Sequence, residues 1–166
     1  RALAITACGN EYTPVGEMLD ERSFVNGIVG LNATGGSTNH TIHLIAMAAA
    51  AGIKLTWQDI SEISDVVPLL ARVYPNGLAD VNHFHAAGGM GFLIRELLDG
   101  GILHEDVRTV WGEGLRPYAI EPKLGQNGTF IREPVPEKSG DDKVLAKIDS
   151  PFQPSGGIKV LTGNIG

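Results

Sequence analysis

The 166 residues carry a formal charge of −6, with 19% charged and 43% hydrophobic residues, 22 glycines, 9 prolines and one cysteine. The acidic balance and the lack of any basic run exclude a nucleic-acid binder, and no apolar run is long enough to span a bilayer. Cys8 alone excludes a disulfide framework or a self-contained cysteine-rich metal site, and fits a reducing, cytoplasmic compartment.

The length suits one domain, or one domain with a piece of another. Arg1 stands where an initiator methionine would, and Gly163-Asn164-Ile165-Gly166 reads like the middle of a turn. Both point to a piece of a longer polypeptide.

Residues 1–12 read as irregular, the end of a helix. Ser23 is the expected cap of a helix through Phe24, Val25, Ile28, Val29 and Leu31, with Gly27 and Gly30 allowing close packing against a neighbour. A second helix is expected over 36–51. It is apolar nearly all round after His43, which predicts a central position, and Gly52 ends it. Thr56-Trp57-Gln58-Asp59 resembles a capping box with Asp at the place usual for Glu or Gln. Ile60, Ile63 and Val67 continue at helical spacing up to Pro68. Leu69 to Tyr74 reads as a short strand closed by the turn Pro75-Asn76-Gly77.

Asp80 is expected to cap a short helix ending near Gly88-Gly89. A further helix carries Phe92, Leu93, Ile94, Leu97 and Leu98 and stops at Gly100-Gly101. Val107 to Trp111 reads as a strand. Beyond Gly112 turns dominate, with extended pieces at 129–132, 144–148 and 158–161. The fold class is therefore α/β, with a helix-rich part over 1–112 and a turn-rich, extended part over 113–166.

The richest chemical signal is Thr34-Gly35-Gly36-Ser37-Thr38-Asn39-His40 running into an apolar helix. Such a junction presents unpaired N–H groups at the positive end of a helix dipole, suited to phosphate or carboxylate, while the same residues also serve as a plain helix cap. It matches neither the dinucleotide fingerprint nor the P-loop. Gly88-Gly89-Met90-Gly91 is a second glycine-rich helix start, fit to hold an anion or to permit tight packing. His40 with His43, and His83 with His85, raise the idea of a four-histidine metal site, although the zinc motif H-E-x-x-H is absent. Glu17, Asp20, Glu21 and Arg22 form a charge cluster that reads as solvated. A stand-alone anion-binding module is one functional reading of these features, and a metal hydrolase built on the histidines is a weaker one.

The strings together resemble the dihydroxy-acid and 6-phosphogluconate dehydratase family. They are Thr34 to Leu44, Gly88-Gly89 with the following helix, Glu96 to Asp106, and Pro154 to Gly166 with Gly156-Gly157-Ile158. Tyr74-Pro75-Asn76-Gly77-Leu78-Ala79-Asp80 and Val81 to Met90 fit the phosphogluconate branch better. The resemblance implies the latter part of an N-terminal α/β domain leading toward a C-terminal β domain. It implies an iron–sulfur hydro-lyase that removes water from a phosphorylated sugar acid, a 4Fe-4S cluster held by cysteines N-terminal to Arg1, a divalent cation, and a homodimer. It implies no ligand role for Cys8 and no catalytic activity for these residues alone. Carried onto this sequence, Ser37, Thr38, Asn39, His40 and His83 are expected to border the substrate. A dihydroxy-acid or other sugar-acid dehydratase is the neighbouring alternative.

Overall fold

The computed structural model describes residues 1–164. Helices fill the chain up to Asp99 and the paired strands follow, so the mixed α/β expectation holds in that order. The helices are α1 (Ala2–Ile5), α2 (Glu21–Thr34), α3 (Thr38–Ala50), α4 (Trp57–Val66), α5 (Val81–Ala86) and α6 (Gly89–Asp99). Strands β1 (Arg108–Thr109) and β2 (Gly112–Glu113) form one antiparallel pair, and β3 (Ile120–Leu124) and β4 (Phe130–Pro134) another.

Helix α2 organises the interior because it is apolar on two faces. Val29 and Ala33 join a cluster with Leu70, Phe84, Phe92, Leu93 and Leu97. Phe24, Ile28 and Leu31 face the other way, toward Leu44, Ala48 and Ile60 of α3 and α4. The expected cap of α2 is displaced by three residues. Asp20 is the N-cap and accepts the Ser23 N–H at 2.8 Å, while the Ser23 hydroxyl donates to Asp20 and to the Met18 carbonyl. A carboxylate at the positive helix end outcompetes a hydroxyl one turn further in. Asp20 also receives Arg22, which reaches Asp106, and Glu17 pairs with Arg108, while Glu21 is exposed and makes no ion pair among the described residues.

Helix α3 is not central. Thr41, Leu44 and Ala48 are its buried residues, one stripe against α2, and Ile42 and Met47 stand open to solvent. Its small alanines supply apolar character without committing the whole surface to a neighbour. Gly27 permits the α2–α3 approach, since a Cβ there would lie 3.2 Å from Leu44 Cδ2; Gly30 meets nothing within 4 Å. Gly52 ends α3 as expected at φ +77°, with the Ile53 N–H reaching back to Ala48.

The capping box of α4 is present in full. Thr56 accepts the Asp59 N–H, and Asp59 accepts the Thr56 N–H and hydroxyl at 2.7 Å each. Hydrogen bonds from the Thr56 hydroxyl and N–H hold the Asp59 carboxyl below its ordinary 3.8. A folded-state value below the unfolded one means a contribution that is complete above about pH 4 and lost as pH falls through the depressed value. Thr56→Ala should therefore destabilise by about 1 kcal/mol at pH 7, and should flatten the acid side of the stability profile. Urea melts across pH 2–7 measure both.

The tail folds back rather than running away from the helices. Val135, Val144 and Leu145 enter the α5–α6 cluster, and Ile158 enters the α2–α3–α4 cluster. The expected strand over 69–74 is an extended segment held by single bridges: Leu69 to Gln153, Ala71 to Leu145 and Val73 to Ala79. The expected extended pieces at 144–148 and 158–161 form no strand ladder; each is pinned by isolated contacts. Residues 129–132 do lie largely in β4, whose partner β3 had no clear sequence signal. Of the turn at Gly163-Asn164-Ile165-Gly166, residues 165–166 lie outside the described residues.

Candidate functional site

The junction between α2 and α3 is built by backbone geometry that glycine makes accessible. Gly35 ends α2 in the left-handed region at φ +57°, and the Gly36 N–H returns to the Leu31 carbonyl. Ser37 then caps α3, accepting the Asn39 N–H at 3.2 Å, and the Thr41 hydroxyl donates to the Thr38 carbonyl. Ser37, Thr38, Asn39 and His40 are all exposed there. Thr38 lines a groove of about 450 Å³ with Thr41, Ile42, Trp57 and residues 158–162.

Directly behind this junction lies the turn Pro75-Asn76-Gly77, which follows a cis Tyr74–Pro75 peptide. A Cβ on Gly35 would meet Asn76 Nδ2 at 2.6 Å, so only glycine admits that side chain. Asn76 is held by donating to the Ala71 carbonyl at 2.8 Å. Gly77 is equally constrained, because a Cβ there would run into the Arg72 backbone.

Asn76 opens onto a polar cleft of about 650 Å³, lined also by Arg72, His83, Asp141, Lys143 and Gln153. Three stretches far apart in sequence supply these groups. Residues 69–79 supply Arg72 and Asn76, and their register is set by the Arg72 N–H donating to Val144 and the Leu69 N–H donating to Gln153. Helix α5 supplies His83, where Asp80 caps the helix as expected and accepts the His83 N–H at 2.8 Å. The turn at 139–143 supplies Asp141 and Lys143, with the Ser139 hydroxyl accepting the Asp141 N–H.

His83 Nε2 lies 2.9 Å from Asp141 Oδ2, and Asp141 Oδ1 accepts the Lys143 N–H at 3.0 Å. The Lys143 N–H, with help from His83, draws the Asp141 carboxyl below its ordinary range. Asp141 is thus ionised near neutral pH and fixes the imidazole. Arg72, which lines the cleft, stacks on Phe152 with its guanidinium carbon 4.3 Å from the ring centroid, and this contact restrains its side chain.

The five sequence-predicted residues therefore fall in two adjoining places. His83 lines the cleft, whereas Ser37 to His40 do not, and Thr38 lines the separate groove beside Trp57. Arg72, Asp141 and Lys143 carry no motif, and Asn76 lies in the matched string 74–80 without having been singled out as a site residue. The one trace of them in the sequence is a pair of polar turns, 75–77 and 139–142, on either side of the Asp80-capped helix.

The other candidates resolve differently. Gly88 and Gly89 have positive φ, and a Cβ at Gly88 would lie 2.9 Å from Phe92 Cβ. Gly91 is pressed against Ile120 and Val135. This second glycine-rich start serves packing beside an apolar cavity of about 530 Å³ lined by His85, Met90, Trp111, Tyr118 and Phe130. The four-histidine metal site does not form. Among the described residues no three His, Cys, Asp or Glu side chains gather to hold a metal ion. On helix α5 successive residues are splayed, which separates His83 from His85. Cys8 is exposed and unpaired, and no helix among the described residues is long and apolar enough to cross a membrane.

The chain belongs to the dihydroxy-acid/6-phosphogluconate dehydratase family, whose N-terminal model matches residues 2–118. Over its full length it is 75% identical to a protein from Rhizobium meliloti and 57% identical to one from Pseudomonas aeruginosa. Over 162 residues, 98% of the chain, it is 59% identical to one from Escherichia coli. All three relatives are named phosphogluconate dehydratase. The chain spans 27% of the length of each.

Proposed function

We propose that this chain is a segment of a phosphogluconate dehydratase, a hydro-lyase that converts 6-phospho-D-gluconate to 2-dehydro-3-deoxy-6-phosphogluconate and water. The observation that carries the reading is identity of 57–75% over 98–100% of the chain to proteins of that name. The substrate has an anion at each end. In its dehydration the proton on C2 leaves to a base and the hydroxyl on C3 departs, and the resulting enol tautomerises to the 2-keto acid.

In this reading Ser37, Thr38, Asn39 and His40 border one end of the substrate and His83 stands near the other. The positive end of the α3 dipole favours an anionic group, although Ser37 already accepts the Asn39 and His40 N–H groups. The His83–Asp141 pair keeps its imidazole in one orientation.

A 4Fe-4S cluster, which would supply a Lewis acid for the departing hydroxyl, does not fit the donors of this chain. Cys8 is its sole thiol and is exposed, with no companion ligands among the described residues. The cluster belongs to the remainder of the polypeptide, and the 166 residues alone are inactive. A divalent cation, a homodimeric state and a cytoplasmic setting complete the proposal.

The test is anaerobic assay of the full-length protein containing this segment, following 2-keto acid formation from 6-phosphogluconate. Turnover is expected, with Asn39→Ala and His40→Ala each lowering kcat/KM by roughly tenfold without a matching loss of stability. Turnover of a dihydroxy acid in place of the phosphorylated substrate would refute the assignment.

A further inference from the structure

We propose that the cleft behind the α2–α3 junction is the seat of the substrate's phosphate, with Arg72 and Lys143 as the cations that hold it and Asn76 and Gln153 as neutral donors. This rests on the function proposed above and adds to it the place and the residues that select a phosphorylated acid over its unphosphorylated counterpart.

The argument begins with how the chain uses its cations. Arg1, Arg22, Arg95, Arg108, Arg116, Lys123 and Lys159 each make an ion pair with a carboxylate. Arg72 and Lys143 make none among the described residues, and both line the same cleft. Other cations without an ion pair among the described residues are placed differently. Lys54 lines a smaller groove beside Glu21, Asp59 and Glu62, where an anion would be repelled. Arg132 lies over the ring of Trp111. Lys138 and Lys147 do not line this cleft.

Among the described residues the only carboxylate lining the cleft is Asp141, already engaged by His83 and the Lys143 N–H. In a chain of net charge −6 this recess holds two cations against one carboxylate. The two cations suit a phosphate monoester. It carries close to two negative charges at neutral pH and several acceptor oxygens. A guanidinium forks onto two of those oxygens, while an ammonium acts as a point charge. Stacking on Phe152 restrains Arg72 before the ligand arrives, so less ordering remains for binding to pay for. A sugar carboxylate, with two oxygens in one plane, offers a forked guanidinium and a separate ammonium fewer simultaneous contacts than the three terminal oxygens of a phosphate monoester.

The experiment uses the full-length protein with Lys143→Gln, Arg72→Lys and Arg72→Gln, and Lys123→Gln on the exposed hairpin as control. Two substrates are compared, 6-phosphogluconate and gluconate, and binding of inorganic phosphate is measured by calorimetry. In Lys143→Gln and Arg72→Gln the KM for 6-phosphogluconate should rise roughly 10- to 100-fold with kcat little changed. Slow turnover of gluconate should stay within about twofold of wild type. Phosphate binding should be lost in both variants and retained in the control.

Lys143 touches Asp141 through its main chain, so its side chain can be removed without disturbing the fold. It carries the test if Arg72→Gln fails to fold. Equal losses on both substrates would place the carboxylate end in the cleft and overturn the proposal, as would unchanged KM and phosphate binding. Phosphate binding that depends on Lys143 in a protein unable to dehydrate 6-phosphogluconate would sink the proposed function and leave the anion site standing.

Discussion

Replacing Gly157 with alanine should cost the fold roughly 3 kcal/mol, whereas Gly30→Ala should be neutral or stabilising by up to about 1 kcal/mol. The two differ in what a new methyl group meets. At Gly30, inside α2, there is nothing within 4 Å. At Gly157 the new Cβ would drive into the Gly35 backbone and sit 3.1 Å from Leu69 Cδ1. Neither backbone can yield. Gly157 is fixed by donating its N–H to Asn32 at 3.0 Å, and Gly35 holds the left-handed turn that ends α2. Relief would require lifting the 156–158 segment, which carries buried Ile158 and the carbonyl that accepts the Ser64 hydroxyl. Denaturation followed by helical circular dichroism checks both variants. A loss under about 1 kcal/mol for Gly157→Ala would mean that the crossing of two glycine backbones is looser than described.

A second large effect is expected at Glu96, where the removal of one carboxylate should cost about 3 kcal/mol. Glu96 lies on α6 and is 7% exposed. One oxygen receives Arg95 at 2.9 Å and the other accepts the Ile148 N–H at 3.0 Å. Arg95 extends the link by donating to the Pro136 carbonyl at 2.6 Å. Glu96→Ala leaves a half-buried N–H and a shielded guanidinium without their acceptor. Glu96→Gln keeps one carbonyl for Ile148 and should recover about half of the loss. Faster amide exchange at Ile148 in the alanine variant would show that the tail has been released. Unchanged protection there would contradict the role assigned to this side chain.

These elements show what was legible in the sequence. Thr56 with Asp59, Asp80 before α5, and Gly52 after α3 were readable because a cap is a local contest among a few neighbouring groups. Ser23 was misjudged in the same contest, since Asp20 lies just upstream and carries the charge that the helix end prefers. The central placement of α3 failed for another reason. Alanine-rich surface is apolar enough to be buried and small enough to be left open, and periodicity alone cannot choose.

The candidate site divides the same way. His83 stood out by its residue type and its place in a matched string. Asn76 shared a matched string but read only as a turn residue, and Arg72, Asp141 and Lys143 did not stand out at all, because their meaning arises only when residues about seventy positions apart are drawn together by the Leu69–Gln153 and Ala71–Leu145 bridges. Such pairings depend on the whole chain and leave no periodic trace in either segment.

The β3–β4 hairpin has a practical consequence. Its tip, Gln126-Asn127-Gly128, is exposed, and a Cβ on Gly128 would meet nothing within 4 Å. The pieces on either side share two apolar contact regions, Leu145 with the α5–α6 cluster and Ile158 with the α2–α3–α4 cluster. Cutting at the tip would make two polypeptides with complementary sticky faces and a shared strand pair. That combination favours spontaneous reassembly, so this loop is the natural place to divide the gene for a complementation reporter.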